Sequence, residues 1–247
     1  MPDSHFPSLQ RAQTDPQGSN GLPQNSMKQQ PWGAIFDWDG VIIDSSRHHE
    51  KSWELLALEE GLPLPPDSFR LGFGRKNQII IPEIYRWATD PVEIERLGNR
   101  KEAIYRELMA KDALEPLPGV REWLQALQDA GVPCAVGSST PRANLDAALA
   151  RLGIAHYFST IVAAEDVTLG KPNPEVFLTA AARIGRRPEC CVVFEDAYAG
   201  IEAARAGGMR VIGIATTHPL EELTQADLAV RQMDELSVEQ LGKWFSA

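Results

Sequence analysis

Cysteine is scarce in this sequence, and no long apolar run occurs in it. Of its 247 residues only 3 are cysteine, at positions 134, 190 and 191, and no two of them have CxxC spacing. All three fall in apolar, strand-like runs, so we expect buried thiols in a reducing compartment rather than a disulfide framework. No apolar run is long enough to cross a bilayer, so we expect a soluble, cytoplasmic protein without a membrane partner.

Clusters of basic residues are also missing. Lys and Arg total 24 against 34 Asp and Glu, which gives a formal net charge of -10. Binding to nucleic acid normally requires a concentration of positive charge, so we expect no nucleic-acid partner. An acidic protein that binds an anionic ligand needs a local cationic group, such as a lysine, a helix N-terminus or a metal ion.

The first part of the chain differs in composition from the rest. Residues 1–30 are rich in Pro, Gln, Ser, Asn and Gly and have no periodic apolar face, which predicts a disordered tail. After it, short apolar runs alternate with helical patterns, and the runs are GAIF, VPCAVG, TIVAA, CCVVFE, RVIGIA and ADLAV. This alternation predicts an α/β fold with a mostly parallel sheet that is covered by helices on both faces.

Residues 47–116 interrupt this alternation with helical patterns and no convincing strand. Ile94, Leu97, Ile104 and Leu108 recur every three or four residues, which indicates one amphipathic helix. We therefore predict a core made of residues 31–46 and 117–247, with an inserted helical cap domain at residues 47–116, called the cap segment below.

The first predicted strand ends in two acids. Ligands of parallel sheets bind beyond the carboxyl ends of the strands, so polar residues there carry the most information. Asp37 and Asp39 are two residues apart, and on extended chain their carboxylates point to the same side. One could attack as a nucleophile while the other transfers protons. Alone the pair is weak evidence, because such acids also cap helices or line solvated turns.

Three other strand ends carry polar residues. Ser138 and Ser139 precede a helix, where hydroxyl and backbone N–H groups either bind phosphate or simply cap the helix. Lys171 stands between Gly and Pro before another helix and suits a fixed cation facing a phosphate, although most isolated lysines are solvated. Glu195 and Asp196 directly follow a buried strand, where two acids are costly without a compensating cation.

The combination of these strand ends predicts a phosphoryl-transfer site. Asp37, Asp39, Glu195 and Asp196 would converge at one edge, and oxygen-only ligands favour Mg²⁺ over zinc as the compensating cation. Asp37 would attack phosphorus and form an aspartyl-phosphate, and Asp39 would protonate the leaving oxygen and later deprotonate the attacking water. Magnesium and Lys171 would offset the charge of the transferring group.

Four motifs in order carry a family resemblance: FDWDGVIIDS, GSST, GKPNPEVF and FEDAYAGIEAARAGG. On these motifs the sequence resembles the haloacid dehalogenase-like hydrolase superfamily, and within it the β-phosphoglucomutase-like branch, over residues 34–230. The resemblance implies a Rossmann-like core with an inserted helical cap. It implies that Asp37 is the nucleophile and a metal ligand. It also implies that Asp39 is the acid/base and binds the metal through its backbone carbonyl.

The same resemblance implies the remaining core roles. Ser138 and Lys171 would bind phosphate. Asp196 would bind magnesium, and Glu195 would ligate it directly or through water. The chain also resembles capped hydrolases of this branch that dephosphorylate a ribitylaminopyrimidine phosphate in riboflavin synthesis, a similarity that includes the ending ATTHPLEEL and ADLAV.

The cap segment is expected to choose the substrate. His49 and Arg75 match positions where the hexose-phosphate mutases of this branch keep a histidine and a phosphate-binding arginine, although a solvated helix face also explains His49. Leu71 stands where those mutases have a lysine, and Pro141 and Arg142 replace a Lys-Asn pair that binds the second phosphate group. These losses favour a phosphatase for small phosphorylated metabolites over a sugar-phosphate mutase.

One alternative from another class is a catalytically silent binding protein that kept the fold. Its expected sign is the loss of a motif residue, and none is lost. We therefore expect a monomeric enzyme of the phosphoric monoester hydrolase class, whose partner is a small-molecule phosphate ester.

Asp44 and Ser45, which follow the first motif residues, are expected to serve as hinge and helix-capping groups.

Overall fold

The computed structural model describes residues 31–246, so the predicted tail lies outside the described residues. Within this range six strands form one parallel sheet in the order β3-β2-β1-β4-β5-β6. They are β1 (Gly33–Phe36), β2 (Cys134–Gly137), β3 (Phe158–Val162), β4 (Cys191–Glu195), β5 (Arg210–Ile214) and β6 (Leu228–Val230). Each predicted apolar run overlaps one of them, and the prediction of a parallel α/β sheet is confirmed.

The register of β1 positions the residues that follow the strands. β1 lies between β2 and β4, and Phe36 pairs with Val136 on one side and Phe194 on the other. Asp37, one residue further, therefore comes level with Glu195 of β4 and with the end of β2. The three strands end together, as the sequence predicts.

The cap segment is helical throughout its regular elements. Its helices are α1 (Ser46–Glu60), which begins one residue before the segment, α2 (Ser68–Gly72), α3 (Asn77–Ile79) with a π-helical continuation at Ile80–Tyr85, and α4 (Pro91–Met109). α4 begins where Asp90 accepts a hydrogen bond from the backbone N–H of Glu93, with Pro91 in the first turn. The limits of a separate cap domain stay a prediction.

α1 and α4 pack against each other around an apolar cluster of their own. Trp53, Leu56, Leu97 and Ile104 are buried in it, and Ile94 and Leu108 of the predicted amphipathic stripe pack at its edge. Burying side chains of this size contributes roughly 1.5–3 kcal/mol each. This burial, together with ion pairs on the outer surface such as Arg96 with Glu60, holds the two helices together.

The core helices cover both faces of the sheet. They are α5 (Val120–Asp129), α6 (Arg142–Leu152), α7 (Glu175–Arg183), α8 (Tyr198–Ala206) and the short α9 (Val238–Gly242). α5, α6 and α9 bury apolar side chains with Phe36 on one face, and α7 and α8 do so with Ile35 on the other. The three cysteines are buried, and no disulfide joins them. Within residues 31–246 no helix is both long and apolar enough to cross a membrane.

Candidate active site

Lys171 joins two of the predicted site acids. Its ammonium donates hydrogen bonds of 2.7 Å to Asp37 Oδ1 and of 2.6 Å to Glu195 Oε1. All three side chains are buried. The lysine lies in the loop before α7, and the acids lie after β1 and at the end of β4, so the parallel sheet brings together groups that are far apart in the sequence.

Burial and charge shift the ionisation of this group. Burial raises the pKa of Asp37 to about 7; Lys171 opposes this, and the Glu195 and Asp39 charges add to it. Burial also acts to lower the pKa of Lys171, but Asp37 and Glu195 together raise it above its ordinary value. The lysine is therefore charged at neutral pH, and its charge is shared between two carboxylates.

Asp196 lies close to Asp37 and Glu195, and only one of its two carboxylate oxygens has a hydrogen-bond partner among the described residues. Thr217 donates a hydrogen bond to Asp196 Oδ2, while the buried Oδ1 has no hydrogen-bond partner in the described part of the chain. Burial raises the pKa of Asp196 well above its ordinary value, and the charges of Glu195 and Asp37 raise it further. A buried acceptor without a donor is costly unless another group compensates it.

Carboxylate oxygens of Asp37, Glu195 and Asp196 all lie within 4.8 Å of one another. The Lys171 ammonium is the positive charge next to these three acids. If all four groups are ionised, the formal charge of the cluster is about -2. Oxygen ligands, a net charge of this size and the orphaned Asp196 Oδ1 all fit a Mg²⁺ ion. Of the three, Asp37 and Asp196 have the oxygens best placed to bind it.

Glu195 has a different set of partners. Its Oε1 accepts from Lys171, and its Oε2 accepts from the backbone N–H groups of Asp196 and Ala197, at 2.8 Å each. With both oxygens occupied, Glu195 is better suited to hold Lys171 and the strand end than to bind a metal directly.

Two glycines leave space for these acids. A Cβ atom built at Gly40 would come within 1.8 Å of Asp196 Oδ2, and one built at Gly200 would come within 1.6 Å of Glu195 Oε1. Gly40 also has a φ of +78°, in the left-handed region that favours glycine. The acidic cluster therefore depends on glycines in both the first and the last motif.

Asp39 has a separate hydrogen-bond network. The hydroxyls of Ser45 and Thr140 donate to its two carboxylate oxygens, and His49 Nε2 lies 3.3 Å from Oδ1. Burial would raise the pKa of Asp39, but the His49 ring and these hydrogen bonds outweigh it and lower the pKa to about 2. The sequence assigned Ser45 to helix capping; its hydroxyl instead contacts Asp39, and it makes no side-chain cap.

His49 is itself held by the cap segment. Lys101 Nζ lies 2.6 Å from His49 Nδ1, and the imidazole stacks on Tyr105 with ring centroids 4.2 Å apart. His49 is therefore not on a solvated helix face. Asp39 of the core, His49 of α1 and Lys101 of α4 form a chain of contacts across the two parts of the protein.

A cavity of about 50 Å³ lies between the cap segment and the ends of the strands. Its polar lining includes six residues of the predicted site, which are Asp37, Asp39, His49, Arg75, Ser138 and Ser139, and also Lys101, Glu102 and Thr140, which the sequence did not predict. Lys171, Glu195 and Asp196 lie outside this lining, behind Asp37. Ser138 accepts a hydrogen bond from the backbone N–H of Thr140, which leaves its hydroxyl proton available as a donor.

Arg142 and Leu71, two of the positions at which the resemblance favours a phosphatase over a mutase, lie away from the cavity. Arg142 Nη2 donates to Ile161 O and to the Asp166 carboxylate, and Arg142 is absent from the cavity lining. Leu71 is 56% exposed. Arg142 is therefore occupied away from the cavity, by Ile161 O and the Asp166 carboxylate.

The sequence patterns did not identify several residues of the site, namely Lys101, Glu102, Thr140 and Thr217. One signal for Lys101 was present: it lies four residues after Leu97 and four before Tyr105, on the buried stripe of α4. A charged residue on an apolar helix face needs a partner. Thr217 lies in a loop without periodicity, and the resemblance noted for its segment, ATTHPLEEL, gave it no role.

Comparisons with known proteins agree with this arrangement. A family model described as haloacid dehalogenase-like hydrolase matches residues 33–208. Over 214 residues the chain is 42% identical to the chloroplastic 5-amino-6-(5-phospho-D-ribitylamino)uracil phosphatase of Arabidopsis thaliana, covering 85% of this chain and 57% of that protein. Over 185 residues it is 36% identical to a fructose-1-phosphate phosphatase of Escherichia coli, covering 74% and 95% respectively.

Solved structures lead to the same family. The crystal structure of β-phosphoglucomutase from Clostridium difficile matches with a TM-score of 0.78 and 26% identity, over 87% of this chain and 97% of that one. The chain thus spans little more than half of the Arabidopsis relative and nearly the whole of the other two. It belongs to the haloacid dehalogenase-like hydrolase family.

Proposed function

We propose that this protein is a magnesium-dependent phosphatase that hydrolyses the phosphate ester of a small metabolite through an aspartyl-phosphate intermediate. The observation that carries the proposal is the pair of strand-end carboxylates, Asp37 and Asp39, at the base of one cavity. Asp37 is joined to Lys171, whereas Asp39 is joined to hydroxyls and an imidazole. Two acids with environments this different suit two different roles.

Asp37 is the proposed nucleophile. One of its oxygens attacks phosphorus, the bond between phosphorus and the leaving oxygen breaks, and an aspartyl-phosphate results. Lys171 beside it offsets negative charge on the transferring group. Magnesium, when bound by Asp37 and Asp196, would supply further neutralisation of the carboxylates and of the phosphoryl oxygens.

Asp39 is the proposed acid and base. It gives a proton to the leaving oxygen, and it then takes a proton from the water that attacks the aspartyl-phosphate. A phosphate dianion bound beside Asp39 favours its protonated form, because like charges close together disfavour ionisation. Ser138 and Ser139, together with Arg75 of the cap segment, are the proposed contacts of the phosphate ester.

Hydrolysis, rather than transfer to a second hydroxyl, is favoured by the position of Arg142. A mutase must hold a second phosphate group, and Arg142, which stands in place of one residue of the Lys-Asn pair of the mutases, is paired with Asp166 instead. Two relatives that bear phosphatase names, for fructose 1-phosphate and for a ribitylaminouracil phosphate, also support hydrolysis. The second of these substrates is our specific alternative, because the Arabidopsis relative is 42% identical to this chain.

The test is a screen of phosphorylated metabolites with magnesium and with a chelator. We expect phosphate release with magnesium, and the panel should contain fructose 1-phosphate, the ribitylaminouracil phosphate and β-glucose 1-phosphate. Formation of glucose 6-phosphate from the last compound, without free phosphate, would contradict the proposal and indicate a mutase. The monomeric state and the cytoplasmic location stay predictions from the sequence.

A further inference from the structure

Glu102 is a buried acid that has no role in the mechanism above. It lies on α4, and its carboxylate accepts hydrogen bonds from Asn77 Nδ2 at 2.8 Å, Lys101 Nζ at 3.0 Å and Asn144 Nδ2 at 2.6 Å. Only 6% of Glu102 is exposed, and it belongs to the cavity lining. A buried carboxylate with three donors needs an explanation.

The hydrogen bond from Asn144 to Glu102 joins the core to the cap segment. Asn144 lies on α6 of the core and is buried, while Glu102 and Arg106 lie one turn apart on α4. Asn144 Nδ2 donates to Glu102, and Asn144 Oδ1 accepts from Arg106 Nη1 at 2.8 Å. Charge fixes this orientation of the amide, because the reverse would place oxygen against carboxylate and N–H against guanidinium.

On its other side Glu102 holds Lys101. The Lys101 ammonium lies between Glu102 Oε1 and His49 Nδ1, and Lys101 is only 2% exposed. An ammonium only donates, so His49 Nδ1 must accept and the ring proton must lie on Nε2. That nitrogen is the one 3.3 Å from Asp39 Oδ1.

We propose that Glu102 is a positioning residue that links the contact between the cap segment and the core to the placement of His49 on Asp39. Asn144 is the core-side half of this link: it meets Glu102 only when α4 lies against α6. The inference rests on the proposed function, since Asp39 is the acid and base there. A cap segment displaced from α6 would break the Asn144 contact and loosen Lys101 and His49 together.

The link requires acceptor oxygens at position 102 for both the Lys101 ammonium and the Asn144 amide. Burial acts against the ionised form, but the positive charge of Lys101 and the hydrogen bonds from Asn77 and Lys101 together lower the pKa of Glu102 below its ordinary value. An ionised carboxylate holds both the Lys101 ammonium and the Asn144 amide. A neutral amide at the same position would keep the shape but turn an N–H group towards one of these donors.

The experiment exchanges the carboxylate of Glu102 and the amide of Asn144 by mutation. E102Q and N144D are each expected to lower kcat by about 10- to 100-fold with KM changed less than about threefold, because acid–base assistance is worth about 10²–10⁴-fold. In the double variant E102Q/N144D the amide and the carboxylate change places, so a donor again faces an acceptor. We expect kcat to return to within about fivefold of the wild-type value, as coupled residues are non-additive.

The matched control is E107Q on the same helix, because Glu107 is exposed and pairs only loosely with Arg100, at 3.3 Å. It should leave kcat unchanged. Asn144→Ala introduces a residue with high helix propensity and should lower kcat like N144D, so it serves if N144D does not fold. Melting temperatures of all variants separate loss of fold from loss of positioning.

Each outcome decides the inference. Single variants with wild-type kcat, or single variants that lose activity which the double variant does not regain, would overturn it. A lower melting temperature with wild-type kcat for the folded enzyme would show a purely structural role and would also overturn it. A wild-type protein without phosphatase activity would contradict the proposed function itself, whereas active wild type with active single variants contradicts only the role of Glu102.

Discussion

The Lys171 ammonium lies 2.7 Å from Asp37 Oδ1, and neither side chain is appreciably exposed to solvent. The same ammonium reaches Glu195, so one lysine compensates two buried acids at the ends of neighbouring strands. This relationship gives Lys171 a structural task in addition to its proposed contact with phosphate. Removing it would leave carboxylates buried without a partner, which is far more costly than never having buried them.

Replacing Lys171 by Met should therefore destabilise the protein as well as abolish activity. We expect a loss of roughly 3–5 kcal/mol in the free energy of unfolding, measured by urea denaturation in metal-free buffer. The control is Lys51→Met: the Lys51 side chain is 54% exposed, and its ion pair with Glu54 contributes about 1 kcal/mol or less. Equal stability of the two variants would contradict the buried pairing.

Magnesium should stabilise the folded protein through Asp196. The orphaned Oδ1 and the neighbouring acids predict that millimolar magnesium raises the melting temperature of the wild type, because a ligand that binds only the folded state stabilises it. Asp196→Asn should lose this response. Without metal the variant should be at least as stable as the wild type, because it removes a like charge from a crowded cluster. A wild-type melting temperature that does not respond to magnesium would contradict the metal site.

Stability in a chelator should fall as the pH rises from about 4 towards 7. The pKa of Asp37 is raised from 3.8 to about 7 in the folded protein, so between these values the folded state binds more protons than the unfolded state. Stability then decreases with rising pH, by the linkage between proton binding and folding. Asp37→Asn should flatten this slope. The check is urea denaturation at several pH values, and identical slopes for variant and wild type would refute the assignment.

The strand ends were predictable because several local patterns agree there. Short apolar runs that end in acids or hydroxyls indicate buried strands, and the carboxyl ends of parallel strands share one edge. Asp37, Asp39 and Ser138 meet at that edge as predicted, with Lys171, Glu195 and Asp196 directly behind Asp37. The glycines that make room for the acids, at positions 40 and 200, also lie inside the recognised motifs.

The contacts between the cap segment and the core were not predictable in the same way. Glu102 meets Asn144 across 42 positions, and which face of α4 meets α6 depends on how two separate clusters pack. Helix periodicity places Lys101 on the buried stripe but cannot say which partner it will find. Arg142 is a second example. The sequence places an arginine near the phosphate motif, but only the fold shows that its guanidinium pairs with Asp166 and does not line the cavity.

Phosphate release by Asp37→Asn, compared with the wild type on the best substrate of the metabolite screen, tests the central claim most directly. With magnesium present, and with the exposed Asp146→Asn variant as control, we expect at least about a 10³-fold loss of kcat for Asp37→Asn, because an amide is a far weaker nucleophile than a carboxylate. Asp146→Asn should match the wild type. An Asp37→Asn variant that releases phosphate at the wild-type rate would contradict the account.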